Sequence, residues 1–231
     1  MKITFITLFP EIYPPLLNFS ILKRAQSKEK VEFEIVNLRE FGEGPHKIVD
    51  DRPYGGGTGM VLKADILAKA LKSVTNNLPS SVRHPHVILT SASGRPYKQS
   101  KARELSKLNH IVIICGHYEG IDQRFIDKHV DEEISIGDYV LTGGELPSFV
   151  IADSISRLIP GVLEKSDATL NESYENGLLE YPHYTRPDEF EGEKAPEVLL
   201  SGNHAQIDNW RHQKSLEKTR KVRPELIVKK G

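Results

Sequence analysis

One cysteine, Cys115, is all the thiol chemistry in the 231 residues, so an internal disulfide is excluded. It follows the apolar run Ile111-Val112-Ile113-Ile114, where packing as a small hydrophobe is expected more than nucleophilic work. Long apolar stretches are missing too. No window approaches the roughly 18 residues of a membrane span, and the start Met1-Lys2-Ile3-Thr4-Phe5 has no basic stretch leading into an apolar one. A soluble cytoplasmic protein is therefore expected. Neither sign of charge is in excess: 31 Lys and Arg stand against 32 Asp and Glu, a net charge of -1. That balance argues against a chain that coats nucleic acid through bulk charge, while local patches remain open. The length suffices for one large or two modest domains with a core that needs neither disulfide nor metal.

Several chemistries are also missing by motif. The nine histidines are scattered, with no H-E-x-x-H and no Cys/His spacing, which removes the usual zinc sites. The cluster from Gly55 to Gly59 is followed by no Gly-Lys-Ser/Thr, so the lysine and hydroxyl of a phosphate loop are absent. No strand runs into G-x-G-x-x-G with an acidic residue about 20 positions on, which weakens an ordinary Rossmann cofactor site. Ser148 sits in Leu146-Pro147-Ser148-Phe149, so there is no nucleophile elbow. Positioning and proton transfer are what remain.

What is present reads as alternating strands and helices. An opening strand over residues 1 to 9 meets Pro10 and the Pro14-Pro15 pair, a short helix fits Leu16 to Ala25, and a second strand fits Val31 to Leu38. The segment from Val49 to Met60 is too rich in glycine for a regular element and is expected to be a loop. A helix over Ala64 to Val74 precedes three strand-like runs, Val87 to Thr90, Ile111 to Cys115 and Glu133 to Ile136. Helices fit Lys98 to Leu108, Ile121 to His129 and Pro147 to Leu158. This is a parallel α/β pattern. Each of the three strands opens into a loop with glycine: Ser91 to Gly94, Gly116 to Gly120 and Gly137 to Gly144. Ligands of open α/β sheets bind beyond the carboxyl ends of strands, so one shared site at these loops is expected.

From Pro160 the character changes. Residues 164 to 176 are polar, carry no hydrophobic periodicity and read as a linker or lid. A Pro-bounded segment from Pro182 to Pro187 follows, and Asn203 to Lys218 reads as a helix. Acidic residues concentrate between Glu164 and Glu197, and basic ones run from Arg211 through Lys214, Lys218, Arg220, Lys221 and Arg223. That basic run fits either a solvated helix face or a surface that contacts phosphates. Arg157, near the end of the helix after the third loop, and Glu172, in the lid, would converge on a substrate if the lid folds over the site. Each taken alone also fits an ordinary surface charge.

With these pieces in place, the chain resembles the bacterial tRNA (guanine-N1)-methyltransferase (TrmD) family of the SPOUT superfamily over essentially its whole length. The strings that carry the resemblance run from Asp50 to Met60, from Cys115 to Asp122, from Ser135 to Pro147, from Ile159 to Val162 and from Gly177 to Pro187. Their order and unusual composition make the match specific.

The resemblance implies an α/β SPOUT-type parallel sheet with a deep trefoil knot over residues 1–163. It further implies an interdomain linker or lid over 164–176 and a small helical tRNA-binding domain over 177–231. It implies a homodimer with active sites at the subunit interface, S-adenosylmethionine as methyl donor, and tRNA as substrate, methylated at N1 of guanosine 37, the nucleotide 3′ of the anticodon. Cofactor contacts carry over to Leu89, Gly94, Gly116, Tyr118, Glu119, Gly120, Ile136, Gly137, Tyr139, Leu141, Gly143, Gly144 and Pro147. Contacts to tRNA carry over to His46, Asp50, Arg52, Gly59, Arg186, Gly202 and Trp210, the last of which also fits a core anchor. Glu172 takes the place of the proton acceptor, where the family usually has aspartate, with Asp167 the alternative, and Arg157 takes that of the group stabilising charge at O6. Ala92 stands where a proline is common. Magnesium is implied as well, with no ligand set assigned and Glu119 the one candidate. A knotted methyltransferase acting on another RNA or base, and a non-catalytic RNA-binding relative, are the competing readings. The first would differ in the lid and C-terminal segment, and the second would show decayed cofactor loops.

Overall fold

The computed structural model describes residues 1–76, 84–164, 169 and 172–228. The chain divides into two compact units, Met1–Glu164 and Lys165–Gly231. The alternative base Asp167 lies outside the described residues.

The first unit is built on β1 (Lys2–Thr7) and β2 (Glu32–Asn37), the short pair β3 (Asp50–Asp51) and β4 (Val61–Leu62), and then β5 (His86–Pro96), β6 (His110–Cys115) and β7 (Glu132–Ser135). Five of these strands form one sheet in the order β2-β1-β6-β5-β7, and every neighbouring pair is parallel. Parallel sheets are covered on both faces, so their strands are apolar throughout. In β6 all six residues are buried, and alternate side chains feed opposite cores. Ile111, Ile113 and Cys115 join Phe5, Ile88, Ile151 and Ile155 on one face. Val112 and Ile114 join Ile6, Leu67, Leu89 and Phe125 on the other.

The first face is covered by α2 (Ser20–Ser27), α4 (Gln99–Leu105) and α6 (Glu145–Ser156), the second by α3 (Ala64–Thr75) and α5 (Gln123–His129). Cys115 has the role expected of it. It is buried against the Tyr13 hydroxyl, 3.0 Å away, and burial pushes its thiol up to about 12, far from a reactive thiolate.

Three local expectations need correction. The single helix over 16 to 25 is two, α1 (Tyr13–Leu17) and α2, parted at Phe19, which is extended, and Ser20, whose φ is +46°. Pro14 and Pro15, beyond the opening strand, occupy the first turn of α1, where a missing N–H costs nothing. The Gly-rich loop is not wholly irregular, since β3 and β4 pair antiparallel across it. The stretch from Ser91 to Gly94 lies inside β5, as a register shift between Thr90 and Arg95 against β7.

In the second unit β8 (Glu189–Phe190) and β9 (Glu193–Lys194) pair antiparallel, followed by α7 (Glu197–Leu200), α8 (His204–Val222) and α9 (Glu225–Val228). The side chain of Asn203 caps α8, accepting from Gln206 N–H at 3.2 Å. Thr219, fully buried, accepts from Leu179 N–H at 2.8 Å and fixes residues before the hairpin to the long helix. Trp210 is half-buried, its ring edge-on to Tyr184 at 6.2 Å.

Candidate active site

A cleft of about 530 Å³ opens at the carboxyl ends of β6 and β7 and beside the middle of β5, where its register against β7 shifts. Its wall includes Leu89, Gly116, Tyr118, Glu119, Gly120, Ile136, Gly137, Tyr139, Leu141, Gly143, Gly144 and Pro147, so twelve of the thirteen positions carried over for the cofactor face one space. Gly94 is not in that wall. It lies in the irregular part of β5, and a side chain there would strike the backbone of Glu133 and Ile134, 2.6 Å away, so its glycine serves strand packing.

The third loop closes down on the second. Gly144 N–H donates to Gly116 C=O at 2.8 Å, and His117 and Gly143 form an isolated antiparallel bridge. A Cβ at Gly144 would overlap Thr90 Oγ1 and stand 2.6 Å from Gly116 N. Only glycine permits that approach. Two loops joined by backbone leave N–H and C=O groups along the cleft wall, which suits a ligand read by its edges.

The polar groups beneath the cleft are tied to the sheet. Glu145, the first residue of α6, is 7% exposed and accepts from Thr7 Oγ1 at 2.8 Å. Its carboxylate at a helix N-terminus is favourably placed against the helix dipole. Tyr13 Oη is shared between Cys115 Sγ and Ser148 Oγ, at 3.0 and 2.8 Å. His117 Nδ1 accepts from Tyr118 N–H at 3.1 Å, so a neutral ring carries its proton on Nε2. That nitrogen faces Gly143, where a Cβ would lie 2.8 Å from it and 2.5 Å from Glu145 Oε2. Tyr118 is 45% exposed with φ +58°, a conformation rarely taken by a bulky residue and found where a site over-determines the backbone. Its ring stands edge-on to His117 at 5.1 Å.

Ser91, Ala92, Ser93 and His117 of the expected loops also line the cleft, and so do Thr90, Glu133 and Ser135, which were not anticipated. Their chain neighbours carry the glycine signal, and position next to a glycine loop was the only clue available for them.

Arg157 is the C-terminal cap of α6, half-buried and not part of the cleft wall. The helix starts at the cleft and twelve residues at 1.5 Å rise place its far end about 18 Å away. Burial raises the Asp153 carboxyl above the usual range, with the Arg157 charge opposing the shift. Glu172 belongs to the second unit, where it lines a hollow of about 640 Å³ with Tyr181, Asp208, Arg211 and Ser215. The guanidinium of Arg211 stacks over the Tyr181 ring at 5.0 Å.

Of the positions carried over for tRNA, His46 and Arg52 are exposed, Asp50 lies in β3, and Gly59 abuts the Glu119 side chain. Arg186 and Gly202 are exposed in the second unit. Among the described residues no group of three His, Cys, Asp or Glu stands together to hold a metal ion, and no helix is long and apolar enough to cross a membrane.

Residues 1–229 match the profile of the family described as tRNA (Guanine-1)-methyltransferase TrmD. The chain is 53% identical over 227 residues to a tRNA (guanine-N(1)-)-methyltransferase of Bacillus pumilus, covering 98% of this chain and 92% of that one. Its likeness to the protein of the same name from Bacillus subtilis is 50% over the same shares. With that from Ruminiclostridium cellulolyticum it is 51% identical over 229 residues, 99% of this chain and 97% of the relative.

Proposed function

The chain belongs to the tRNA (guanine-1)-methyltransferase family and is an enzyme of that class, and from this premise we propose that it transfers the methyl group of S-adenosylmethionine to N1 of guanosine 37 in tRNA. The observation that carries the donor is the cleft, where three strands and the loops beside them bring twelve of thirteen carried-over positions to one wall. Bound there, S-adenosylmethionine supplies an electrophilic methyl on a sulfonium. The backbone of residues 136 to 144 would hold its adenosine, and Glu119, one of two carboxylates in the wall with Glu133, would attract its cationic end.

The chain's remaining work is to make guanine N1 nucleophilic. Glu172 accepts the N1 proton, and Arg157 stabilises the negative charge that grows toward O6. The distance along α6 supports a site shared between two subunits, because Arg157 stands about 18 Å from the cleft at the start of its own helix. The outer surface around that helix supports the same arrangement. Tyr139, Val140 and Leu141 of the third loop and Leu146 and Val150 of α6 are exposed, Val140 by 86%. Leu146 and Val150, one turn apart, lie on one stripe, a pattern that fits a self-complementary homodimer interface.

The threading of the third loop supports a knot. After β7 at the sheet edge the chain returns past Gly116 and runs into α6, which packs beneath the central strands β1 and β6. In the second unit, α8 with its basic last turn, Arg220 and Lys221, fits a phosphate-contacting role for the small helical domain. Magnesium finds no cluster of ligands among the described residues, and no step here is routed through it. An enzyme of tRNA works where tRNA is, in the cytoplasm.

The test is transfer of label from S-adenosylmethionine to unmodified tRNA, in parallel with the same tRNA carrying adenosine at position 37. Label is expected in the first and not the second. Equal labelling of both would replace this reading with a methyltransferase of another base.

A further inference from the structure

We infer that Gly59 is a positioning residue for the cofactor cleft: it sets where the Glu119 carboxylate stands, and it affects the reaction through that side chain and not by touching RNA. This rests on the reading of the cleft as the S-adenosylmethionine site, with Glu119 in its wall.

Four glycines of the 55–59 segment have positive φ: Gly55 at +86°, Gly56 at +81°, Gly57 at +120° and Gly59 at +85°. Their surroundings differ. A Cβ built on Gly55, Gly56 or Gly57 meets nothing within 4 Å, whereas one on Gly59 runs into Cγ and Oε1 of Glu119 and lies 2.8 Å from its Cδ. At the first three positions glycine serves only the turn. At Gly59 the missing side chain is also the space that the Glu119 side chain occupies.

That approach is held in place. Glu119 N–H donates to Met60 C=O at 3.0 Å, Leu62 N–H to Gly120 C=O at 3.0 Å, and Asp122 N–H to Leu62 C=O at 3.1 Å. Leu62 and Ile121 form a parallel bridge, and Leu62, with no exposure, is anchored in the core. Residues 60–62 are thus a rail along residues 119–122, and Gly59 is the first residue off its end. Glu119 is itself exposed, and a glutamate in that state samples many rotamers. The Gly59 backbone removes part of that freedom on one side and leaves the carboxylate at the cleft. A methyl group at position 59 would displace the side chain at its Cγ, so the carboxylate would move with it.

Gly56 provides the control, because its φ is within a few degrees of that of Gly59 and its surroundings are open. Alanine meets a similarly positive φ at both sites and a collision at one. Calorimetric titration of the full chain with S-adenosylmethionine would compare wild type, Gly56→Ala, Gly59→Ala, Glu119→Ala and the double variant Gly59→Ala/Glu119→Ala. Gly59→Ala is expected to weaken binding by about tenfold to a hundredfold, the range for a misplaced charged hydrogen-bonding group. Gly56→Ala is expected to stay within about twofold. In the Glu119→Ala background the Gly59 substitution should add less than about twofold, since two changes acting through one group are not additive. Affinity for tRNA should be the same in Gly59→Ala as in wild type. Equal losses with and without Glu119, as misfolding would also produce, overturn the inference. So does a Gly59→Ala chain that keeps its cofactor affinity and loses tRNA. A wild-type chain that fails to bind S-adenosylmethionine overturns the reading of the cleft itself, a distinct result.

Discussion

Replacing Gly144 by alanine isolates the contact on which the cleft depends. Its φ of -84° and ψ of -2° are open to any residue, so backbone strain contributes nothing and the whole cost is steric. The new methyl would overlap Thr90 Oγ1, stand 2.6 Å from Gly116 N and lie 2.8 Å from Cys115 Cα. None of these yields easily. Thr90, within β5, and Cys115, the last residue of β6, are buried, and the Gly116 contact is to backbone. Relief requires the third loop to lift from the second, which sacrifices the 2.8 Å hydrogen bond from Gly144 N–H to Gly116 C=O and weakens that from Thr90 Oγ1 to Gly144 C=O. Overpacking in a filled interior costs about 1 to 3 kcal/mol, and each buried hydrogen bond lost adds about 1 kcal/mol. A loss of about 2 to 5 kcal/mol is a large share of the stability of an ordinary domain. Urea denaturation should show a midpoint lower by about 1 M or more, and titration with S-adenosylmethionine should show binding lost along with it. An unchanged midpoint and unchanged affinity would refute the close approach of the two loops.

Glu172→Ala should lower methyl transfer by about 10²- to 10⁴-fold, the usual worth of a general base, while cofactor affinity measured by titration survives. Near-normal turnover would pass the role to Asp167. Arg157→Lys keeps the charge but not the planar fork, so single-turnover transfer should fall by at least about tenfold; full activity would show that charge alone suffices. His110 is 6% exposed, and burial, then the Lys2 charge, holds its pKa below the usual 6.5, with Glu34 and Glu32 opposing. The unfolded chain therefore binds more protons at this site below pH 6.5, and stability should fall as pH drops through that window toward the folded value. His110→Gln should flatten that part of the stability profile. A slope identical to wild type would show that His110 does not titrate differently on unfolding.

The pattern of strands and helices was legible because apolar runs such as Ile111 to Cys115 are buried on both faces. Strand order was not, since β1 lies between β2 and β6 through contacts distant in the chain. The break at Phe19 and Ser20 was hidden because it rests on two backbone conformations, not on composition. Glycine in three loops pointed to one site. It could not distinguish Gly144, which admits another loop, from Gly94, which admits the backbone of β7. Thr90 was missed because an isolated threonine carries no signal until the fold places it against the cleft. Arg157 and Glu172 were expected to converge. Along α6 Arg157 lies about 18 Å from the cleft, a separation that no feature of the sequence pattern made visible.

The most direct measurement of the central claim is the position of the methyl group on the product. Unmodified tRNA with guanosine at position 37 would be incubated with the enzyme and S-adenosylmethionine, digested, and its nucleosides and fragments identified by mass spectrometry. The account predicts 1-methylguanosine in the fragment that holds position 37 and nowhere else. A methyl on another nucleotide, or on another atom of that guanosine, would contradict it.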